Sequence, residues 1–217
     1  MQIVRMKPKM LCQKLIPNIT KEFAKVYNIP EGHTSCAFFS TDNDDIGYVA
    51  VDDATKKARI KVVHAKTFYG GNSCSWSRYG GSVFIMFSGE RVEDVRSGLF
   101  YVKDFVENHS ALFNFDGDEG TSFYVQTIPR AGKYFQEWCS IEPGQSYTYM
   151  AGGPLESNYA LDKALKASDT RVARFWYPPS NANSSGAILC GTESACRAAE
   201  AAFIDALRMA TLDPFGI

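Results

Sequence analysis

The tripeptide Leu15-Ile16-Pro17 returns 112 residues later as Thr127-Ile128-Pro129, and this repeat decides the fold. Further matches follow in the same order at offsets of 112, 110 and 104 residues: Phe23 with Phe135, Ile29 with Ile141, Gly32 with Gly144, Asp52 with Asp162, Lys56 with Lys166, and Val83–Met86 with Ala187–Cys190. Matched positions that keep their order over a long stretch are typical of a duplicated domain. The sequence therefore predicts two copies of one fold.

Each copy predicts the same succession of elements: a strand, a short helix, a strand, an amphipathic helix, two strands and a long helix. The last helix is expected to begin with Ser194 as its N-cap. Strands interleaved with helices that pack on one sheet indicate an α+β fold, here an α/β sandwich. A linker is predicted between Asn108 and Ser122, where an Asp/Gly cluster interrupts the pattern.

Composition excludes several classes of protein. The chain has 217 residues, 45% of them hydrophobic, and 23 Lys and Arg against 24 Asp and Glu give a net charge of −1. A domain that holds nucleic acid by bulk electrostatics usually carries an excess of Lys and Arg, so we expect no nucleic-acid partner. Near-neutrality removes the charge repulsion that opposes self-association.

Targeting signals and disulfide patterns are not found. Charged residues interrupt the apolar ones between Met1 and Ile19, which excludes a signal peptide, and no segment is apolar enough to span a membrane. None of the six cysteines forms a CxxC pair, so reduced, mostly buried thiols are expected, with Cys74 in a Gly/Ser-rich loop as the exception. These features predict a cytoplasmic protein without a membrane partner.

Motifs for catalysis are missing as well. The sequence contains no phosphate-binding glycine motif, nucleophile elbow or zinc-protease motif, and its three histidines are widely scattered. We therefore expect no enzymatic activity.

The densest group of charges is Asp42-Asn43-Asp44-Asp45. Carboxylates this close repel each other unless a cation or hydrogen-bond donors intervene, which indicates a site for a metal ion or an ammonium group. An acidic turn that caps the following helix explains the same residues equally well. The residues alone leave both interpretations open.

Two long loops, 70–81 and 178–186, lie at the same place in the two copies. Simple hairpins need only about two to five residues, so loops of this length indicate a function, although a tolerated surface insertion is the alternative. The Gly-Gly pairs that flank the first loop permit the large backbone changes of a hinge.

Several stretches carry a family resemblance. The segments Ser40-Thr41-Asp42-Asn43-Asp44-Asp45-Ile46, Ala54-Thr55-Lys56, Pro154-Leu155-Glu156 and Ala195-Cys196-Arg197-Ala198-Ala199 resemble the L-type shell proteins of ethanolamine-utilisation bacterial microcompartments. The resemblance covers essentially the whole chain, at matching length and with the same duplication.

This resemblance implies the architecture and the assembly. The chain would consist of two tandem circularly permuted bacterial microcompartment domains, residues 1–112 and 113–217. Three chains would form a homotrimer, a pseudo-hexameric tile that packs with other shell proteins around the ethanolamine-degrading enzymes. The centre of the tile would be a gated pore. The resemblance implies no required cofactor, although zinc is associated with the family and passage of cobalamin through the gate is a further hypothesis.

The resemblance also implies site residues. Asp44 and Asp45 match an acidic pair that would bind ethanolamine in a small pore, and the same pair is the candidate metal site. Further candidate residues of the small pore are Phe113, Glu156, Ser82, Asn183 and Ser184, and candidate residues of the gate loops are Gly70, Gly71, Trp76, Tyr79, Gly80, Pro178 and Asn181. The alternative function is a small-molecule sensor or binding module built on the duplicated domain, without assembly into a shell.

Overall fold

The computed structural model describes residues 2–68, 82–116 and 121–215, and the chain divides into two compact units. The N-terminal unit comprises Pro8–Ser110 and Gly132–Tyr134. The C-terminal unit comprises Met1–Lys7, Ala111–Ala131 and Phe135–Ile217.

Ten strands and six α-helices are found in the described part of the chain. The strands are β1 (Ile3–Met6), β2 (Met10–Ile16), β3 (Ser35–Thr41), β4 (Lys61–Thr67), β5 (Val83–Gly89), β6 (Leu112–Phe115), β7 (Ser122–Ile128), β8 (Ser146–Gly152), β9 (Arg171–Trp176) and β10 (Ser185–Gly191). The helices are α1 (Lys21–Val26), α2 (Asp44–Ala54), α3 (Val92–Asp104), α4 (Lys133–Cys139), α5 (Pro154–Lys166) and α6 (Glu193–Leu212). A π-helical turn, Phe105–His109, continues α3.

The N-terminal unit is an antiparallel sheet in the order β2-β3-β5-β4, with helices on both faces. Side chains alternate between the two faces along each strand. Phe39 and Phe87 are fully buried, and Phe87 lies close to Gly98 of α3. On the opposite face, Cys36 and Met86 form a second cluster with residues of α1. The helices therefore cover both sides of this sheet.

The C-terminal unit repeats this sheet and extends it. Its order is β1-β6-β7-β8-β10-β9, so β7-β8-β10-β9 reproduces the order β2-β3-β5-β4. Phe123, Met150 and Leu189 form a buried cluster with Phe203 of α6. On the opposite face, Phe135 of α4 contacts Tyr147 and Tyr149. The predicted mixed α+β fold with an internal duplication is confirmed.

Backbone conformations repeat too. Asn28 and Ser140 have φ angles of 50° and 51°, and Gly32 and Gly144 have φ angles of 86° and 85°. Both pairs are 112 residues apart, the offset that the sequence repeat gives. Since few residues other than glycine adopt positive φ, the agreement shows that the same turns are built in both copies.

One predicted alignment of the repeat is shifted by two residues. Ala37 and Thr148 are the third residues of β3 and β8. Ala37 pairs with Phe87 in the first copy, and Thr148 pairs with Leu189 in the second. The strands β5 and β10 therefore correspond at an offset of 102 residues, not the predicted 104. Because side chains alternate with a period of two, this shift leaves the inward and outward faces as predicted.

The compact units differ from the predicted domains 1–112 and 113–217. Residues 3–6 form β1, which pairs with β6, so the N-terminal segment belongs to the sheet of the C-terminal unit. The segment Gly132–Tyr134 belongs to the N-terminal unit, because the Gly132 and Lys133 amides donate hydrogen bonds to the side chains of Asp52 and Thr55. The predicted linker 108–122 contains strand β6.

Two local predictions are wrong. The N-cap of α6 is Thr192, whose hydroxyl accepts from the Ala195 amide at 3.2 Å, and not Ser194. The second long loop ends before Ser185, since Ser185 and Gly186 are the first residues of β10, and Gly186 lies against Met150 and Ala151. No helix in the described residues has the length and the apolar character needed to cross a membrane.

Candidate functional site

The acidic cluster lies at the start of α2, where β3 ends. Asn43 is the N-cap and accepts from the Ile46 amide at 2.9 Å, so Asp44 and Asp45 fall in the first helical turn. Carboxylates stabilise a helix at this end because the backbone amides point towards them. The capping interpretation is therefore correct for the cluster, although it does not by itself account for the burial of Asp44.

Asp44 is an acid in a nearly closed environment, with 8% of its surface exposed. The Thr67 hydroxyl donates to Asp44 Oδ2 at 2.9 Å and lies 3.2 Å from the Tyr48 hydroxyl. Burial raises the pKa of Asp44, and the hydrogen bond from Thr67 lowers it in part. A buried carboxylate of this kind is stabilised by a cationic partner.

Ser82 lies beside the same turn. Its hydroxyl donates to the Asp42 carbonyl at 3.0 Å, and its amide donates to the Thr41 carbonyl at 3.0 Å. In the N-terminal unit, the predicted site residues Asp44, Asp45 and Ser82 are therefore at one end of the sheet. By donating to these two backbone carbonyls, Ser82 connects the residue before β5 to the turn before α2.

The corresponding end of the C-terminal sheet holds the other predicted residues. Phe113, Phe123, Gly152 and Ser185 are successive partners across β6, β7, β8 and β10. The Phe113 and Phe123 rings stack with centroids 5.6 Å apart. Asn183 and Ser184 directly precede Ser185 in the chain. The fold therefore brings Phe113, Asn183 and Ser184 to one row of strand ends.

Glu156 joins this row from the first turn of α5. Its carboxylate folds back over Gly153, where an added Cβ would collide with Glu156 Oε2. Glu156 also lines a surface groove of about 330 Å³ together with Leu155, Tyr159, Met209 and Asp213. Glu156 is thus at the α5 position that corresponds to the acidic turn of α2.

Three residues at these strand ends were not singled out from the sequence. Thr67 contacts Asp44, Asn158 donates to the Ser185 hydroxyl at 3.1 Å, and the buried Ser157 hydroxyl has no hydrogen-bond partner among the described residues. The sequence places Thr67 shortly before the first long loop and gives no other signal for it. Its partner across space depends on the strand register, which the sequence did not provide.

The second long loop is held by one serine. The Ser180 hydroxyl accepts from the amides of Ala182 and Ser184, at 3.2 and 3.3 Å, and lies 2.8 Å from the Ser184 hydroxyl. Asn181 lies within this hydrogen-bonded turn, and Pro178 precedes it. The other predicted gate residues, Gly70, Gly71, Trp76, Tyr79 and Gly80, lie outside the described residues.

The predicted zinc site has too few ligands in the part of the chain that the structure describes. Zinc in proteins usually takes three or four side-chain ligands. No group of three or more His, Cys, Asp or Glu side chains in residues 2–68, 82–116 and 121–215 is arranged to hold a metal ion. Asp44 and Asp45 therefore lack a described third ligand for a metal.

Comparison with known proteins decides the family. The bacterial microcompartment (BMC) domain matches residues 35–115. The bacterial microcompartment shell protein EutL of Clostridium perfringens is 35% identical over 210 residues, which cover 97% of each chain, and EutL of Escherichia coli is 34% identical over 201 residues, 93% of this chain and 92% of the other. The chain belongs to the EutL family of bacterial microcompartment shell proteins. The crystal structure of the ethanolamine utilization protein EutL from Leptotrichia buccalis has a TM-score of 0.96, 38% identity and full coverage of both chains.

EutL membership confirms the predicted resemblance and the predicted class of protein. The relatives are shell proteins, so the chain is a structural component of a microcompartment shell and not an enzyme. The family also favours this interpretation over a small-molecule sensor that does not assemble.

Proposed function

We propose that this chain forms a trimeric tile of the ethanolamine-utilisation shell and that its small pores bind ethanolamine. The observation that carries the tile is the repeated strand order, β2-β3-β5-β4 in one unit and β7-β8-β10-β9 in the other. Three copies of a duplicated fold supply six similar units, and a ring built from them closes without free ends. The tile would pack edge to edge with other shell proteins.

The trimer has a direct test. The protein should have a mass three times the 24.1 kDa of the chain when it is measured by light scattering at micromolar concentration. A monomer under these conditions would contradict the tile. Ordered sheets in electron micrographs would support edge-to-edge packing, and their consistent absence from preparations of the trimer would argue against it.

The ethanolamine site is proposed at Asp44 and Asp45. Burial removes water from the ionised Asp44 carboxylate, and the hydrogen bond from Thr67 offsets this loss only in part. An ammonium group would stabilise the charge further by a charge-assisted hydrogen bond. The strand-end row of the C-terminal unit, which includes Phe113, Glu156, Asn183 and Ser184, is proposed to line the pore in that unit. The amide substitutions Asp44→Asn and Asp45→Asn remove the charge and nearly keep the shape of the acids, which makes them suitable probes.

Calorimetric titration with ethanolamine tests this site. Heat of binding should be lost in Asp44→Asn and reduced in Asp45→Asn, while Asp205→Asn, at an exposed position of α6, should bind as the native protein does. Native binding should also weaken as the pH falls through the raised pKa of Asp44, because protonation of Asp44 removes the charge that the ligand requires. Unchanged binding by Asp44→Asn would reject the site.

Gating and cobalamin passage belong to the same proposal. The gate would be formed by the two long loops of each chain, three copies of each around the axis. A crystal structure of the open trimer tests the passage of cobalamin, since an aperture narrower than the cofactor would exclude it. Zinc is not included, because the described residues offer it no complete ligand set.

A further inference from the structure

A group of polar side chains lies in the C-terminal unit where α6 packs on the sheet. Thr127 of β7 pairs with Thr148 of β8, and Thr148 pairs with Leu189 of β10. Directly paired residues of an antiparallel sheet place their side chains on the same face. Leu189 packs with Phe203 of α6 in the buried cluster. Both threonine side chains are therefore on the face that α6 covers.

The hydroxyls of this pair have no partner in the protein. Thr148 is fully buried, and the Oγ1 atoms of Thr127 and Thr148 are buried without a hydrogen-bond partner among the described residues. Buried hydroxyls in folded proteins are nearly always hydrogen-bonded, because burying one without a partner is costly. The Cβ atoms of directly paired residues lie about 4.5–5.5 Å apart, so one small molecule can reach both hydroxyls.

Glu200 of α6 adds a carboxylate beside this pair. Strand β6 pairs only with the first two residues of β7, so no strand lies beside the Thr127 amide on that side. Glu200 Oε2 accepts a hydrogen bond from this amide at 3.0 Å. The two oxygens of a carboxylate can accept several hydrogen bonds, so Glu200 can accept one from a further donor as well.

The strand positions of this cluster are apolar in the N-terminal unit. The 112-residue offset of the repeat carries Thr127 to Leu15, which pairs with Ala37 of β3. Ala37 corresponds to Thr148, because each is the third residue of its strand. A leucine and an alanine thus replace the two hydroxyl residues.

The helix position differs in the same way. The N-caps of α3 and α6 are Arg91 and Thr192, and Leu99 and Glu200 each lie eight residues after the N-cap. Leu99 is buried in the N-terminal unit. All three polar side chains of the cluster therefore replace apolar ones of the repeat, so the duplicated fold can be built without them.

We propose that Thr127, Thr148 and Glu200 bind one ordered water molecule inside the C-terminal unit. The two hydroxyls donate to the water oxygen, and the water donates to the Glu200 carboxylate. A buried water typically makes about three hydrogen bonds to groups that otherwise lack partners, which is the number available here. A divalent metal ion is a poorer fit, because Ca²⁺ takes six to eight oxygen ligands. The inference is independent of the proposed trimer and of the ethanolamine site.

A crystal structure of the native protein tests the ligand directly. An isolated density peak is expected about 2.5–3.0 Å from the two hydroxyl oxygens and from a Glu200 oxygen. No peak at this place, in a map that defines other internal waters, would overturn the proposal. A peak with six or more oxygen ligands at about 2.3–2.6 Å would be a cation and would also overturn it.

The variant Thr148→Val gives a test with opposite signs for the two cases. If the water is bound, valine removes one of its partners, and the equilibrium constant for folding measured by urea unfolding should fall about fivefold. If the Thr148 hydroxyl has no partner in the native protein, valine replaces an unsatisfied buried group with a methyl group of similar shape. The equilibrium constant would then rise, and the proposal would be wrong.

A double-mutant cycle tests whether one molecule joins both threonines. Thr127→Val and Thr148→Val should be coupled, with the double variant losing less than the product of the two single losses. Simple multiplication of the two effects would overturn the shared water. Ser110→Ala is the control, since the Ser110 hydroxyl donates to a carbonyl in the N-terminal unit and its effect should multiply with that of Thr148→Val. Circular dichroism establishes that each variant is folded.

Discussion

Asp44 combines a structural position with an electrostatic cost. Its place in the first turn of α2 suits a carboxylate, but its burial removes most of the water that would stabilise the charge. Residues that are expensive to bury and are not required by packing often belong to functional sites. The same cost makes the role of Asp44 measurable without any ligand.

The stability of the protein should respond to pH through this group. Burial raises the pKa of Asp44, so the unfolded chain ionises first as the pH rises. The free energy of unfolding therefore falls as the pH rises from the ordinary pKa to the raised pKa of the folded state, and it stays lower above that pH. Asp44→Asn should therefore be more stable than the native protein at pH 7. Urea unfolding at several pH values should show this gain shrinking towards pH 3, and a gain independent of pH would contradict the assignment.

Asp52 is also a buried carboxylate, but we expect it to stabilise the fold. It accepts the Gly132 amide at full burial, and Asp52→Ala leaves that amide without its partner. An unsatisfied buried donor costs about 1–3 kcal/mol. Urea unfolding should show a loss of this size for Asp52→Ala and a change within about 0.5 kcal/mol for the exposed control Asp205→Ala. Equal effects of the two changes would mean that the Gly132 contact contributes little.

At the scale of elements, the start of α6 shows which of two nearby hydroxyl residues caps a helix. Thr192 and Ser194 are both suitable N-cap residues by type, and the Thr192 side chain accepts from the Ala195 amide. Thr192→Ala should lower the free energy of unfolding by about 1 kcal/mol, the usual value of a cap. Ser194→Ala, measured in the same way, should change it much less. The reverse order would move the start of the helix to the position that the sequence predicted.

The missed strands β1 and β6 have a common cause. Each has four residues, and neither shows the alternation that marks a half-buried strand. They form because they pair with each other, from Ile3 with Phe115 to Met6 with Leu112. A pairing between segments more than 100 residues apart depends on the folded chain bringing them together. β1 is mostly exposed, so its residues show no alternation of buried and exposed positions.

At the scale of the whole molecule, assembly should stabilise the fold. A ligand or partner that binds only the native state raises the apparent stability by mass action. If the proposed trimer forms only from folded chains, the melting temperature of the native protein should rise with protein concentration. Differential scanning calorimetry over a hundredfold range of protein concentration measures this dependence. A native melting temperature that is independent of concentration would argue against a trimer coupled to folding.

The sequence by itself determined the duplication, the mixed α+β class and the family, because a repeated order of residues and whole-chain identity are one-dimensional properties. It also offered a helix start at Asp44 and Asp45 as one of two interpretations, since capping is local in the chain. Only the tertiary structure decided that Thr67 lies against Asp44, that β1 joins β6 and that Gly132–Tyr134 lies on α2. These contacts join residues far apart in sequence, and their geometry depends on strand register and close packing, which local patterns do not encode.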